Sequence, residues 1–208
     1  MRAEPSPTRV TLVRHGETSA NALRVWHGST DTALTPAGHR QAQRVAEHLA
    51  ASHAGASALY ASPLTRARDT ARPIAERLGL AARIEEDLRE YHLGAWEGIS
   101  YAELVREHRL FERMQADPDW QPGGGESARQ VAERLAGQLA AIAARHAGER
   151  VIVVSHGGAL TLGLGLLLDR ELSAWRRVMD NCAISDLVFD PAPSLVRWND
   201  VAHLADPA

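Results

Sequence analysis

The sequence predicts an α/β protein, a three-layer α/β/α sandwich with a mostly parallel central sheet and a small helical lid insertion. Three observations carry that expectation. Short apolar or β-branched runs at residues 10–13, 58–61, 151–154 and 184–189 read as strands. Long stretches of helical periodicity separate them, and strands alternating with helices give parallel sheets covered on both faces. Residues 98–125 break the rhythm with short helical pieces at 101–109 and 111–114, then Pro118, Pro122 and three glycines. That stretch is expected to lie over the sheet edge as a lid.

Each element has a local cause. Thr35-Pro36 starts a helix, with threonine as N-cap and proline at the first position, where a missing N–H costs nothing. Ala42, Val45, Ala46 and Leu49 then form its apolar face. Pro63 is expected to open a second helix through Leu78, ended by Gly79. A third spans 126–146, with Val131, Leu135, Leu139 and Ile142 on one side. Residues 159–168 read as a buried helix, and 194–198 as a strand closing a hairpin with 184–189. At 208 residues one domain spanning 1–208 accounts for the chain.

Composition narrows the class. A net charge of −3 gives no general attraction to nucleic acid or an anionic membrane, so any anion must be held by locally placed cations. Cys182 is the one cysteine, which rules out an intramolecular disulfide and makes the cytoplasm the default compartment. Residues 1–8 lack the apolar core of a signal peptide. The 159–168 run is far shorter than the ~20 residues a bilayer requires. Trp96, Trp120, Trp175 and Trp198 read as packing residues, since no basic patch accompanies them.

Four segments carry chemistry, each where a strand should give way to a loop, the place ligands occupy in open α/β sheets. Arg14-His15-Gly16-Glu17-Thr18 comes first. A lone histidine at a strand end is most often hydrogen-bonded and inert. Here Arg14 offers a planar fork for two phosphate oxygens, Gly16 lets a ligand approach the backbone, and Asn21 adds a neutral donor. Second is Ser62-Pro63-Leu64-Thr65-Arg66-Ala67-Arg68, where a helix N-terminus favours an anion. Arg66 sits in the first turn, a mildly unfavourable position unless an anion is bound; Arg68 reads as surface. Third, Glu90 precedes the Gly94-Ala95-Trp96-Glu97-Gly98 turn. A carboxyl group beside phosphate oxygens is pushed toward its protonated form by like charge, which suits a general acid. Glu97 competes with it on spacing alone. Fourth, Ser155-His156-Gly157-Gly158 repeats the strand–His–Gly–helix layout, and two such histidines converge in a parallel sheet. Metal ligation is the rival reading, but no His-x-x-x-His or Cys-x-x-Cys spacing supports it.

In this order, the four segments resemble the histidine phosphatase superfamily, the phosphoglycerate-mutase-like enzymes, over residues 10–168. The resemblance implies a pocket at the carboxyl edge of the sheet and no metal or organic cofactor. It implies His15 as the phosphate-accepting nucleophile, with Arg14, Arg66 and His156 holding the phosphoryl oxygens. Glu90 is implied as acid and then base, and Asn21 as an auxiliary phosphate contact. Gly157, Tyr91 and Arg113 are expected as further substrate contacts from their places beside these segments and in the insertion. Family mutases usually follow the acid with an arginine and carry an adjacent arginine pair in the insertion. Here Tyr91 follows Glu90, and the insertion offers Arg106, Arg109 and Arg113 with Met114 after the last. The phosphatase branch is therefore expected, acting on a small phosphorylated metabolite. A phosphoglycerate mutase and a non-catalytic phospho-ligand binder are the alternatives. Sugar phosphates, phosphoglycerate derivatives, phosphoserine and α-ribazole phosphate are all open as substrates, and a homodimer through a strand edge is open as well. In Trp26-His27-Gly28 the histidine stands where relatives often carry glutamine; His27 is open between facing the substrate and capping the loop, with the loop favoured.

Overall fold

The computed structural model describes residues 6–172 and 179–205. Trp175 and residues 1–5 lie outside them. One six-stranded sheet runs through the protein: β1 (Thr8–Arg14), β2 (Ala58–Ala61), β3 (Ala82–Ile84), β4 (Arg150–Ser155), β5 (Ile184–Asp190) and β6 (Ala192–Asp200), in the spatial order β3-β2-β4-β1-β5-β6. The first four in that order are mutually parallel, and β5 and β6 run antiparallel to close the far edge. The short strand β3 is too brief and too exposed to stand out in the sequence.

Alternation along the strands decides which helix covers which face. Val13, Leu59, Ala61, Ile152 and Val154 point to the side of α2 (Pro36–Ser52) and α3 (Thr65–Leu78), where Val45, Leu49, Ala71 and Ile74 meet them. Val10, Leu12, Tyr60, Val151 and Val153 point the other way, toward α6 (Ala128–Arg145) and α7 (Gly157–Leu164). Both layers sit on a sheet whose central strands are buried on both faces, which is the three-layer sandwich the alternation predicted.

The caps explain most helix boundaries, including those that differ from expectation. Thr35 accepts the Gly38 N–H at 3.0 Å, as expected of an N-cap before Pro36. Helix α3 starts at Thr65 rather than Pro63, because Asp31 takes the Thr65 N–H at 2.8 Å and fixes the first turn there. Helix α6 starts at Ala128, where Ser127 and Gln130 form a reciprocal capping box. Helix α7 takes in Gly157 and is continued by a wider turn over Gly165–Asp169. A short helix, α1 (Ser19–Leu23), was not foreseen; Thr18 and Asn21 cap it. In the 98–125 stretch, α4 (Tyr101–Arg106) and α5 (Leu110–Ala116) are separated by Arg109, whose left-handed φ of 50° ends the first helix early.

One close approach fixes the loop after β1. A Cβ on Gly16 would lie 2.6 Å from the Gly38 carbonyl oxygen, and a Cβ on Gly38 would lie 2.1 Å from the Glu17 carbonyl oxygen. Gly16 is therefore glycine so that the loop can pack against the start of α2, not to admit a ligand. Gly38→Ala is expected to cost about 1–3 kcal/mol of stability through this overlap. Urea unfolding would read it as a lower midpoint at unchanged slope.

Candidate active site

Parallel pairing of β1 with β4 sets Arg14 beside Ser155, so the next residue of each strand, His15 and His156, meets its counterpart at the carboxyl edge. Their ring centroids lie 5.0 Å apart, and both rings are buried. His15 Nδ1 lies 2.7 Å from the Gly16 carbonyl oxygen. A carbonyl only accepts, so Nδ1 carries the proton and Nε2 keeps its lone pair. Burial, reinforced by the charges of Arg66 and Arg14, holds the His15 imidazole well below its ordinary value of 6.5. His15 thus presents a neutral, correctly tautomerised nitrogen.

Around it the structure gathers cations. Arg66, at the second position of α3, is 3% exposed and donates through Nη1 to the Thr30 carbonyl (2.9 Å) and through Nη2 to the Gly28 carbonyl (2.6 Å). Its Nε donates to His156 Nδ1 at 3.2 Å. Arg14 donates to the Met179 carbonyl, and its Nε is buried without a partner. Burial draws both guanidiniums down from their ordinary value, while the nearby Glu90 carboxylate opposes it. Among the described residues neither arginine forms an ion pair.

Glu90 lies across from them on the N-terminus of α7. Its Oε1 accepts the Tyr91 N–H (2.8 Å) and the Ala159 N–H (2.7 Å), and Oε2 accepts the Gly158 N–H at 3.0 Å. Glu97, its rival in the sequence, is spent on structure. It accepts from the Ser29 and Thr30 N–H groups at 2.8 and 2.9 Å, from both their hydroxyls, and contacts His92 Nδ1 at 2.7 Å. Burial alone would raise the Glu97 carboxyl, but hydrogen bonds from Thr30, Ser29 and His92 outweigh it and leave it below its ordinary value.

These groups open onto one cavity of about 1150 Å³. Arg14, His15, Asn21, Arg66, Glu90 and Gly157 line its inner end; Trp26, His27, Tyr101, Phe111 and Gln115 line its outer part. Three buried polar atoms bordering it lack protein partners: Arg14 Nε, His27 Nδ1 and Thr32 Oγ1. Asn21 uses its Oδ1 on Thr18 and Asn181, which leaves its amide N–H groups for the cavity. Asn181, missed in the sequence, also lines the wall and donates to the His15 carbonyl at 2.9 Å.

Several expected contacts lie elsewhere. Tyr91 is fully buried in the core beneath Trp26, edge to face at 6.1 Å, and its hydroxyl has no partner. Arg113 is exposed, with its guanidinium 4.2 Å from the Trp120 ring centre. Arg109 pairs with Glu112, and Arg106 donates to the Ala102 carbonyl. His156 lies behind the wall with both ring nitrogens engaged: Nδ1 accepts from Arg66, so Nε2 donates to Ser62 Oγ at 2.7 Å. His27, favoured for the loop, does both jobs. Its carbonyl accepts the Thr30 N–H at 2.8 Å, while its ring faces the cavity. Nor does a ligand have the α3 N-terminus to itself, since Asp31 occupies it.

Two outcomes follow. Tyr91→Phe is expected to leave KM unchanged and to stabilise the fold by about 1 kcal/mol, the release of one unsatisfied buried hydroxyl; steady-state kinetics and urea unfolding would check both. The neutrality of His15 and His156, both held well below 6.5, stabilises the folded state fully above about pH 6.5. That contribution is lost as pH falls below 6.5, because unfolded imidazoles then take up protons that the folded ones refuse. Nitrogen-15 spectra should keep His15 in its neutral Nδ1–H form at pH 5.

Comparison with known proteins agrees with this geometry. The profile of the histidine phosphatase superfamily (branch 1) matches residues 10–201. The chain is 38% identical over 206 residues to phosphoglycerate mutase-like protein 4 of Arabidopsis thaliana, covering 95% of this chain and 87% of that protein. It is 36% identical over 210 residues to a metal-independent phosphoserine phosphatase of the same plant, covering 99% and 87%. Among solved structures, phosphoserine phosphatase from Entamoeba histolytica in complex with 3-phosphoglyceric acid superposes with a TM-score of 0.86 at 29% identity, over 95% of this chain and 100% of that one. With a profile match across nearly all of the chain, the protein belongs to the histidine phosphatase superfamily, branch 1.

Proposed function

We propose that this chain, a phosphoric monoester hydrolase acting on small phosphorylated metabolites, works through a phosphohistidine on His15. The observation that carries the reading is the pairing of a neutral buried imidazole with one buried and one half-buried arginine that lack ion-pair partners among the described residues. Phosphoryl transfer needs charge neutralised around the equatorial oxygens and an in-line nucleophile. Arg14 and Arg66 supply that charge, with Asn21 as a neutral donor.

In the first step the phosphate group lies between the two arginines. His15 Nε2 forms a bond to phosphorus while the ester P–O bond breaks, its electron pair leaving on oxygen. Glu90 gives that oxygen its proton, and the alcohol departs. The Nδ1–H bond to Gly16 holds the ring throughout and offsets the charge it gains. In the second step water attacks phosphorus as Glu90 takes its proton, the P–N bond breaks, and inorganic phosphate leaves with His15 neutral again. His156 acts by holding Arg66 through its Nε.

Hydrolysis is favoured over mutase chemistry by the insertion. The insertion offers a phosphoglycerate carboxylate no cation, since Arg106, Arg109 and Arg113 are all engaged away from the cavity wall; the further arginine lining it, Arg24, comes from the end of α1 instead. Residues 98–125 act as a lid, a role supported by Tyr101, Phe111 and Gln115 at the outer wall. These side chains favour a leaving alcohol with an apolar face. The E. histolytica phosphatase and the plant relative make phosphoserine a substrate to test early.

The test is phosphate release from a panel of phosphomonoesters with chelator present, including phosphoserine, sugar phosphates and 3-phosphoglycerate. Wild type should release phosphate and give an acid-labile phosphoprotein; His15→Ala should do neither. Glu90→Gln should lower turnover of alkyl phosphates by ~10²–10⁴-fold while inorganic phosphate still binds. Full turnover by either variant would overturn the roles assigned here, and isomerisation of 3-phosphoglycerate without release would favour a mutase.

A further inference from the structure

The segment that carries Glu90 belongs to no strand or α-helix. It leaves a single 3-10 turn (Glu86–Leu88) and is extended from Arg89, and every carbonyl from 87 to 92 accepts a hydrogen bond from another part of the chain. Arg134 on α6 donates to the Asp87, Arg89 and Glu90 carbonyls at 2.9, 2.8 and 3.0 Å. Ser155 Oγ takes Leu88, Trp26 Nε1 takes Tyr91 at 3.4 Å, and the Glu126 N–H takes His92.

Arg134 dominates this frame. Its guanidinium is 10% exposed, and its remaining donors close a fork on Glu126, Nε to Oε1 at 2.8 Å and Nη2 to Oε2 at 3.0 Å. Five hydrogen bonds thus occupy all five N–H donors of the side chain. Glu126 is fixed in turn by Arg89 (2.9 Å) and by the His92 N–H (3.3 Å). Neither Arg134 nor Glu126 lines the cavity. One guanidinium therefore grips the Glu90 backbone from behind while the carboxyl group faces the reacting end of the cavity.

We propose that Arg134, aligned by Glu126, is the positioning residue of the acid–base step, setting where the Glu90 carboxyl group meets the leaving oxygen. This rests on the role given to Glu90 above. Lysine cannot replace it, because three donors on a flexible stem do not reproduce a planar fork bound to a carboxylate and three carbonyls. A displacement of about 1 Å at a proton-transfer group is enough to cost on the order of 10²-fold in rate.

Leaving groups separate positioning from simple loss of structure. The alkoxide of glycerol 3-phosphate needs a proton to depart, whereas p-nitrophenolate leaves without one. Since kcat/KM reports events up to leaving-group departure, Arg134→Lys and Glu126→Gln should lower it by on the order of 10²-fold for glycerol 3-phosphate. For p-nitrophenyl phosphate it should change less than about threefold. With that aryl ester the variants should show a burst of p-nitrophenolate and then slow turnover, because hydrolysis of the phosphoenzyme still needs Glu90. Inhibition by inorganic phosphate should be unchanged. Equal losses on both esters with weakened phosphate inhibition would make Arg134 merely structural and overturn the proposal. So would full kcat/KM on the alkyl ester. Glu90→Gln, run alongside, tells the two readings apart: if it spares the alkyl ester, the role of Glu90 is at fault; if it does not and Arg134→Lys does, the positioning is at fault.

Discussion

Two guanidiniums held at the sheet edge, Arg66 buried and Arg14 half-buried, beside two buried imidazoles are the constraint from which the rest of the site follows. Arg14 and Arg66 approach the same point at the carboxyl edge, and burial works against the charge of each. Their mutual repulsion is partly met by carbonyls: Arg66 leans on Gly28 and Thr30, Arg14 on Met179. It also keeps both histidines neutral, since a third and fourth positive charge there would be opposed by burial and by the arginines together. The phosphoryl group of the proposed reaction is an anion that such a cluster suits. The loop over 26–32 exists to hold those carbonyls in place, and Glu97 exists to hold the loop.

Glu90 and Glu97 show how one residue type is put to opposite uses by its donors. Glu97 is surrounded by hydroxyls and amides of a single loop, which it ties together with both carboxylate oxygens engaged. Glu90 takes N–H groups only from its own neighbour and the first turn of α7, and one side of it stays open to the cavity. Two helix N-termini at the site are occupied by the protein's own carboxylates, Asp31 at α3 and Glu90 at α7. In the proposed reaction, phosphate is accordingly held by side-chain cations.

What the sequence made legible was whatever depends on near neighbours. The strand–His–Gly–helix layout located His15 and His156, because a strand end and a helix start are local events and parallel pairing then brings them together. Thr35-Pro36 marked the start of α2 for the same reason. Tyr91 and Arg113 were misplaced because direction is tertiary: adjacent to Glu90 along an extended backbone, Tyr91 must point the opposite way, into the core. Arg113 found an aromatic face on Trp120 that no spacing rule announces. Arg134 and Asn181 were invisible on similar grounds. Each acts on backbone atoms more than forty residues away, so nothing beside it in the sequence betrays the partner.

The glycine run at 123–125 draws these points together. A Cβ on Gly123 would lie 2.3 Å from the Leu93 carbonyl oxygen, and one on Gly125 would lie 2.1 Å from that of His92. Those glycines let two stretches of backbone pass in contact. The consequence is chemical as well as structural: the passage delivers Glu126 to the turn after Glu90, where it meets Arg134 and Arg89 at once. Glycine here supplies no ligand contact and no flexibility. It shortens the distance between an insertion and the Glu90 segment until a single guanidinium can span them, and in the proposed mechanism that span sets where the proton donor sits.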